Sequence, residues 1–205
     1  MDTVPPKAAR RTSAGPQRSH ATHQAILAAA EALLNERGPA GVTFEAVARL
    51  ANAGKPTVYR WWPNKTALLL ELYDQHKDRV VGAPDRGTFR ADLIELIDTL
   101  WTFWRETSGG PALAAVIAEA QSDPESRKSL LAHFSDDRRA RGNPLNLVID
   151  RAIARGELAA TTPIAAIREP IMAANWFCLL CGRLEPDRIQ QLVDQLLDGL
   201  LARDC

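Results

Sequence analysis

The sequence predicts an all-α protein, with an N-terminal helix-turn-helix unit followed by a larger helical region. Three observations predict it. Between Thr43 and Lys65, small and apolar residues fall where two short helices crossing at a tight turn need them. Beyond Gly82 the apolar pattern has helical spacing, is broken at Gly and Pro, and contains no alternating β-branched run. The chain closes on an apolar stripe at helical spacing.

The first window can be read position by position. Thr43 suits the N-cap of a helix, and Glu45 places negative charge near that helix's positive end. Val47, Ala48 and Ala51 share one face, with Ala48 where the two helices come closest. Asn52 tolerates the left-handed backbone that the turn requires. Pro56 fits only a first turn, so the second helix starts near Lys55, and Ala53, Val58 and Trp61 are its expected inward face. Any pair of surface helices in an all-α protein shares such spacing. The residues beyond the turn favour DNA: Lys55, Thr57, Tyr59, Arg60 and Lys65 place polar and cationic groups on and just after the second helix, the distribution of a helix lying in a major groove.

Further along, one helix is predicted from Phe89 to Glu106, its inward face carrying Phe89, Leu93, Leu96, Ile97, Leu100, Trp101 and Trp104. Others are predicted at Ala112 to Gln121, Pro124 to Phe134, and Pro144 to Arg155, the last ended by Gly156. The last two, Pro163 to Arg183 and Pro186 to Arg203, are the most apolar. Ile189, Leu192, Val193, Leu196, Leu197, Leu200 and Leu201 form a stripe too wide for one small domain to cover, which points to a partner surface.

From His20 to about Gln75 the chain resembles the DNA-binding domain of the tetracycline-repressor (TetR) family of bacterial transcription regulators. The matching segments are AILAAAEALLNERG, VTFEAVARLA, KPTVYRWW and PNKTALLLELY, and the tyrosine with a lysine six residues later is their most specific part. Asn52 departs from the family's usual glycine but can adopt the same backbone. The resemblance implies that Thr43, Tyr59 and Lys65 contact phosphates, and that Lys55, Pro56, Thr57 and Arg60 lie nearest the bases, with Gly54 allowing close approach. Arg60 suits either a guanine edge or a phosphate.

It also implies a ligand-binding and dimerisation domain at residues 81–205, after a DNA-binding domain at 19–80; composition sets off a basic arm at 1–18. The last two helices would pair with a second copy in a four-helix bundle, with Ile189, Leu192, Val193, Leu196, Leu197 and Leu200 in the interface. Two recognition helices related by a two-fold axis read a palindromic site on double-stranded DNA. A small molecule in a pocket among the middle helices would change the spacing of the two DNA-binding domains. Trp101, Phe103, Trp104, Phe134, Met172, Trp176 and Phe177 offer apolar surface for an apolar or amphipathic effector, and Asn175 or His133 a polar contact, although each also reads as ordinary core. Pro170 suggests a kink that helps to open the cavity. Repression is the family's usual outcome; activation or ligand-independent regulation on the same fold is the alternative.

Charge agrees with a nucleic-acid partner. Residues 1–65 carry nine Lys and Arg against four Asp and Glu, and the remainder cancels that surplus to a net charge of zero. The segment before Ser19, with Lys7, Arg10, Arg11 and Arg18 among Pro, Ala, Ser and Gly, reads as a disordered arm that follows DNA or as an inert solubilising tail. It lacks the apolar core of a secretory signal, and no stretch is long and apolar enough to cross a membrane. Cys178, Cys181 and Cys205 make no disulfide framework, so a reducing cytoplasm is expected. Cys178 and Cys181 form a CxxC that reads as buried packing, or as a redox pair or half a metal site that no second CxxC or paired His completes. No catalytic constellation, phosphate-cradling glycine loop, metal set or fixed-period repeat is visible. The expectation is therefore no enzyme, no cofactor, no metal and no helical-repeat interaction module.

Overall fold

The computed structural model describes residues 16–135, 142–161 and 163–201, with side chains described at 20–134, 142–161 and 163–199. Within these residues every regular element is a helix. The expected basic arm lies outside the described residues apart from its last three positions, which begin α1, and so does Cys205.

Helix α1 (Pro16–Gly41) turns at Gly38, whose φ of 67° is left-handed, and buries Ile26, Leu27, Ala30, Leu33 and Leu34 at helical spacing. Helix α2 (Phe44–Leu50) starts at Thr43, whose hydroxyl accepts the Ala46 N–H at 3.2 Å. The turn that follows falls as predicted at Asn52, with φ 50°, and the Ala53 N–H reaches back to the Ala48 carbonyl at 2.9 Å. Helix α3 (Lys55–Trp61) carries Pro56 in its first turn, where the missing N–H costs nothing. Helix α4 (Lys65–Val80) is capped by Asn64, whose side chain accepts the Ala67 N–H at 2.9 Å.

One expectation in this region is overturned. Trp61 is 39% exposed, and Trp62 is the buried ring at 2%. Helix α3 stops at Trp61, so Trp62 sits in extended backbone with φ −127° and turns its indole into the core, donating Nε1–H to Glu71 at 2.8 Å. His23 stacks on Trp62 and meets the edge of Trp61, each at 4.7 Å between ring centroids.

Helix α5 (Phe89–Glu106) buries the predicted face except Leu100, which is only partly buried because it lines a cavity, and buries Phe103 as well. Helix α6 (Gly109–Ser122) begins three residues earlier than predicted, because the chain passes tightly over α5. A Cβ on Gly110 would stand 2.3 Å from the Trp104 carbonyl oxygen. Helix α7 (Pro124–Ser135) is followed by α8 (Pro144–Ala154), ended as predicted by Gly156 at φ 77°. Helix α9 (Ile164–Leu180) runs on through Pro170 but stops before Arg183: Gly182 turns left-handed and the Arg183 N–H bonds the Cys178 carbonyl at 2.8 Å. A 3-10 turn at Pro186–Arg188 leads into α10 (Ile189–Leu201).

Two apolar clusters form. One joins α1–α4 to Ala112, Val116 and Ala120 of α6 and Leu130 of α7. The other gathers α5, α8, α9 and α10 around Trp101 and Trp104, and takes Tyr73 from α4 and Leu113 and Ile117 from α6. Helices α4 and α6 therefore belong to both. Ionic contacts pin the link between α4 and α5: fully buried Asp92 accepts the Arg86 N–H and the Arg155 guanidinium at 2.9 Å, and Glu157 accepts the Phe89 N–H at 2.7 Å.

The stripe on α10 is also corrected. Ile189, Val193 and Leu197 are buried within the chain's own second cluster, on the face that packs against α5. They are therefore unavailable to a partner. Leu192 and Leu196 are only partly buried, and the Leu200 side chain lies outside the described residues. The sequence stripe is a single broad face whose centre, 189, 193 and 197, the chain covers itself, while its edge at 192 and 196 stays partly open.

Candidate DNA interface and effector cavity

The α2–α3 pair carries the expected DNA-facing residues, except Lys65, which opens α4. Tyr59 is 54% exposed, and the Phe44 ring steadies it edge-on at 4.8 Å between centroids. Arg60 is exposed and makes no ion pair among the described residues. Pro56 is exposed in the first turn, and Thr57 is half-buried beside it. Thr43, occupied as an acceptor by the Ala46 N–H, keeps its hydroxyl proton for another oxygen. Gly54 has an ordinary φ of −74°, and a Cβ there would meet nothing closer than 3.7 Å. The fold itself does not require that glycine.

Two of the expected cations are already engaged within the chain. Lys55 pairs with Glu45 across the motif, a hydrogen bond that holds the lysine above and the carboxylate below their ordinary ranges. Lys65 stands 3.2 Å from Glu119 on α6, and the neighbouring Asn64 amide donates to Ser129 on α7 at 2.9 Å. No local pattern announces these last contacts, because Lys65 and Asn64 meet residues more than fifty positions away.

The second feature is a cavity of about 660 Å³, the size of a small-molecule site, walled by α4, α5, α6, α7, α9 and the residues leading into α8. Of the residues expected there, Trp104, Phe134, Met172, Asn175 and Trp176 line it, as does His133. Trp101 does not. It is fully buried behind the wall and donates its indole N–H to Asn175 at 2.6 Å, and that amide donates to the Ile171 carbonyl at 2.8 Å. Asn175 is thereby fixed by its own neighbours. Phe103 packs on Tyr73 outside the cavity, and Phe177 is exposed.

Sequence reasoning missed the polar wall. Tyr73, Asp74, Lys77 and Asp78 come from α4, and Arg168 from α9. Arg168, Met172 and Trp176 recur every four residues on one helical face, a signal present in the sequence. The Phe134 and Trp176 rings meet at 5.1 Å, and the Tyr73 hydroxyl accepts the Trp104 indole N–H at 3.0 Å. Burial drives the Tyr73 phenol far above its usual range, so it stays protonated.

Cys178 is buried in the second core cluster and Cys181 is exposed. Burial raises the Cys178 thiol above its ordinary value, which disfavours the thiolate that redox chemistry needs. No grouping of His, Cys, Asp and Glu among the described residues is placed to hold a metal.

Comparison with known proteins covers both halves of the chain. Residues 26–72 match the family described as bacterial regulatory proteins, tetR family, and residues 83–196 match the tetracyclin repressor-like C-terminal domain. The chain is 28% identical to the uncharacterized HTH-type transcriptional regulator YdeS of Bacillus subtilis, over 92% of this chain and 94% of that protein. It is 29% identical to the DNA-binding transcriptional repressor TetR of Mycobacteroides abscessus, over 84% of this chain and 90% of that one. Among solved structures, the TetR family transcription regulator SCO0332 superposes with a TM-score of 0.72 at 29% identity, covering 87% of this chain and 97% of that chain. With both halves matched, a helix-turn-helix at one end and an all-helical remainder, the chain belongs to the TetR family of DNA-binding transcription regulators.

Proposed function

We propose that this regulator is a cytoplasmic homodimeric repressor, seated on a palindromic operator and released from it when an apolar or amphipathic molecule enters the cavity. The observation that carries this reading is the course of α4. Its first residue, Lys65, adjoins the recognition helix, and two turns later the same helix supplies Tyr73, Asp74, Lys77 and Asp78 to the cavity wall. A ligand that displaces that wall moves a rigid rod whose other end stands at the DNA face. In this division of labour residues 19–80 bind DNA, 81–205 hold the effector and the partner copy, and the basic segment 1–18 follows the DNA backbone. Thr43, Tyr59 and Lys65 grip phosphates, while Gly54, Lys55, Pro56, Thr57 and Arg60 lie against the base edges. The partner copy covers the outer face of α9 and α10, where Phe177 and Leu180 are more than half exposed. The repressor named among its relatives supports the direction of control.

Selection from a random DNA pool, followed by fluorescence anisotropy on the recovered sequence, tests the core of this reading. The selected site should be palindromic, and replacing Lys55, Tyr59 and Lys65 together by alanine should abolish binding without loss of helicity. Retained affinity in that triple variant would overturn the assignment of α3 as the recognition helix.

A further inference from the structure

The cavity's charge pattern narrows the ligand further, on the assumption that the cavity is the effector site. Three carboxylates line it, and each already has a partner. Glu71 accepts the Trp62 indole N–H at 2.8 Å and lies 3.2 Å from His23. Asp74 lies 3.4 Å from both Lys77 and His133, and Asp78 lies 3.2 Å from Lys77. Lys77 is therefore spent between two acids. Arg168 differs from all of these: it lines the cavity, is half-buried, and makes no hydrogen bond or ion pair among the described residues. A guanidinium presents five donors in a fixed fork and keeps its charge at any physiological pH, so a half-buried one without a partner is left incompletely satisfied.

The surroundings of Arg168 are apolar along its own helix. Ile171, Met172 and Trp176 follow it on the cavity side of α9, and from Arg168 to Trp176 the helix rises about 12 Å. Phe134 closes against Trp176, and Trp104 faces them from α5. We propose that the cavity takes an amphipathic carboxylate, its head group held in a bidentate pair by Arg168 and its apolar body laid along α9 between Met172, Trp176, Phe134 and Trp104. A planar fork matched to a carboxylate supplies both orientation and selectivity, and the paired acids repel a second negative charge, which favours a monoanion.

The test uses the purified full-length chain, with calorimetry and the fluorescence of Trp104 and Trp176, and three probes of equal length: octanoate, octan-1-ol and octylamine. Octanoate should bind best, roughly ten- to a hundredfold tighter than the alcohol, the range expected for a charge-assisted pair that remains partly open to water. Octylamine should bind worst. Arg168→Gln should bring octanoate down to the level of the alcohol while leaving the alcohol unchanged, and Arg168→Lys should restore part of the loss, which a merely unfolded variant would not do. The proposal is overturned if octylamine binds as tightly as octanoate, if Arg168→Gln leaves octanoate unaffected, or if none of the three binds. Operator release is measured separately. Arg168-dependent binding of octanoate without release would sink the proposed regulation and leave the site standing. Equal release by all three probes would do the reverse.

Discussion

The α2–α3 pair and the α9–α10 pair are both two helices joined by a short connection, yet they expose the sequence to opposite risks. In α2–α3 each helix has seven residues and one buried face, and Val47, Ala48 and Val58 are buried in the cluster that joins α1–α4 of the same chain. In α9–α10 the helices are longer, α10 carries one broad apolar stripe, and α9 is apolar on more than one face. Ile189, Val193 and Leu197 belong to the chain's own core, whereas Phe177 and Leu180 stand exposed. A single apolar face can only point inward. Two apolar faces leave open which one the chain itself covers.

The largest effect should come from separating those two faces of the C-terminal pair. Val193→Asp buries an unpaired charge at a site with no exposure, and should cost on the order of 4 kcal/mol or more, read as loss of cooperative thermal unfolding by circular dichroism. Phe177→Glu with Leu180→Glu should leave the subunit folded. Light scattering should then report half the mass, with operator affinity reduced by more than about a hundredfold because one recognition helix makes half the contacts. If Val193→Asp instead gave a folded monomer, or the double variant stayed a dimer, the assignment of inner and outer faces would be reversed.

The same contrast explains what could be read in advance. The all-α class, the caps at Thr43 and Gly156 and the left-handed Asn52 were legible because each is set by a few neighbouring residues. Trp61 was misplaced for Trp62 because the inward position depends on where a two-turn helix stops, and one residue of difference swings a side chain by about 100°. Trp101 takes the core alternative and not the cavity one, a choice the sequence leaves open because core and cavity wall are built from the same apolar types. Arg168 escaped notice because an arginine in a helix looks like surface until the fold turns the face it shares with Met172 and Trp176 into a cavity wall. The partners of Asn64 and Lys65 come from α6 and α7, which no local pattern relates to them.

Gly54 gives a sharper test of the N-terminal side, because the fold has room there for a side chain. Gly54→Ala should leave thermal stability nearly unchanged, since the new Cβ meets only ordinary van der Waals contacts and φ is already favourable. Operator affinity should nevertheless fall about tenfold, equivalent to ~1.4 kcal/mol, if the space is reserved for the DNA backbone. Unchanged affinity would return Gly54 to the status of a permissive loop residue, and a large loss of stability would place its importance within the fold.

The smallest expected effect lies just beyond the N-terminal pair, where Lys65 at the start of α4 meets Glu119 of α6. A phosphate and the Glu119 carboxylate compete for one ammonium, so some of what Lys65 contributes to DNA binding is spent in leaving Glu119. Glu119→Gln removes the competitor and also a negative charge beside the path of the DNA, and both changes act in the same direction. A partly exposed ion pair such as this contributes on the order of 1 kcal/mol, so operator affinity should rise by about two- to fivefold. Lys65→Ala alone should weaken binding to every sequence and reduce the salt dependence by about one phosphate contact. In a background already carrying Lys65→Ala, most of the gain from Glu119→Gln should disappear, and this non-additivity separates competition for Lys65 from simple long-range repulsion. A gain of equal size in both backgrounds would assign Glu119 only a field effect. No gain in either would mean that Lys65 reaches the phosphate without surrendering its partner, leaving α6 unresponsive to DNA at this contact.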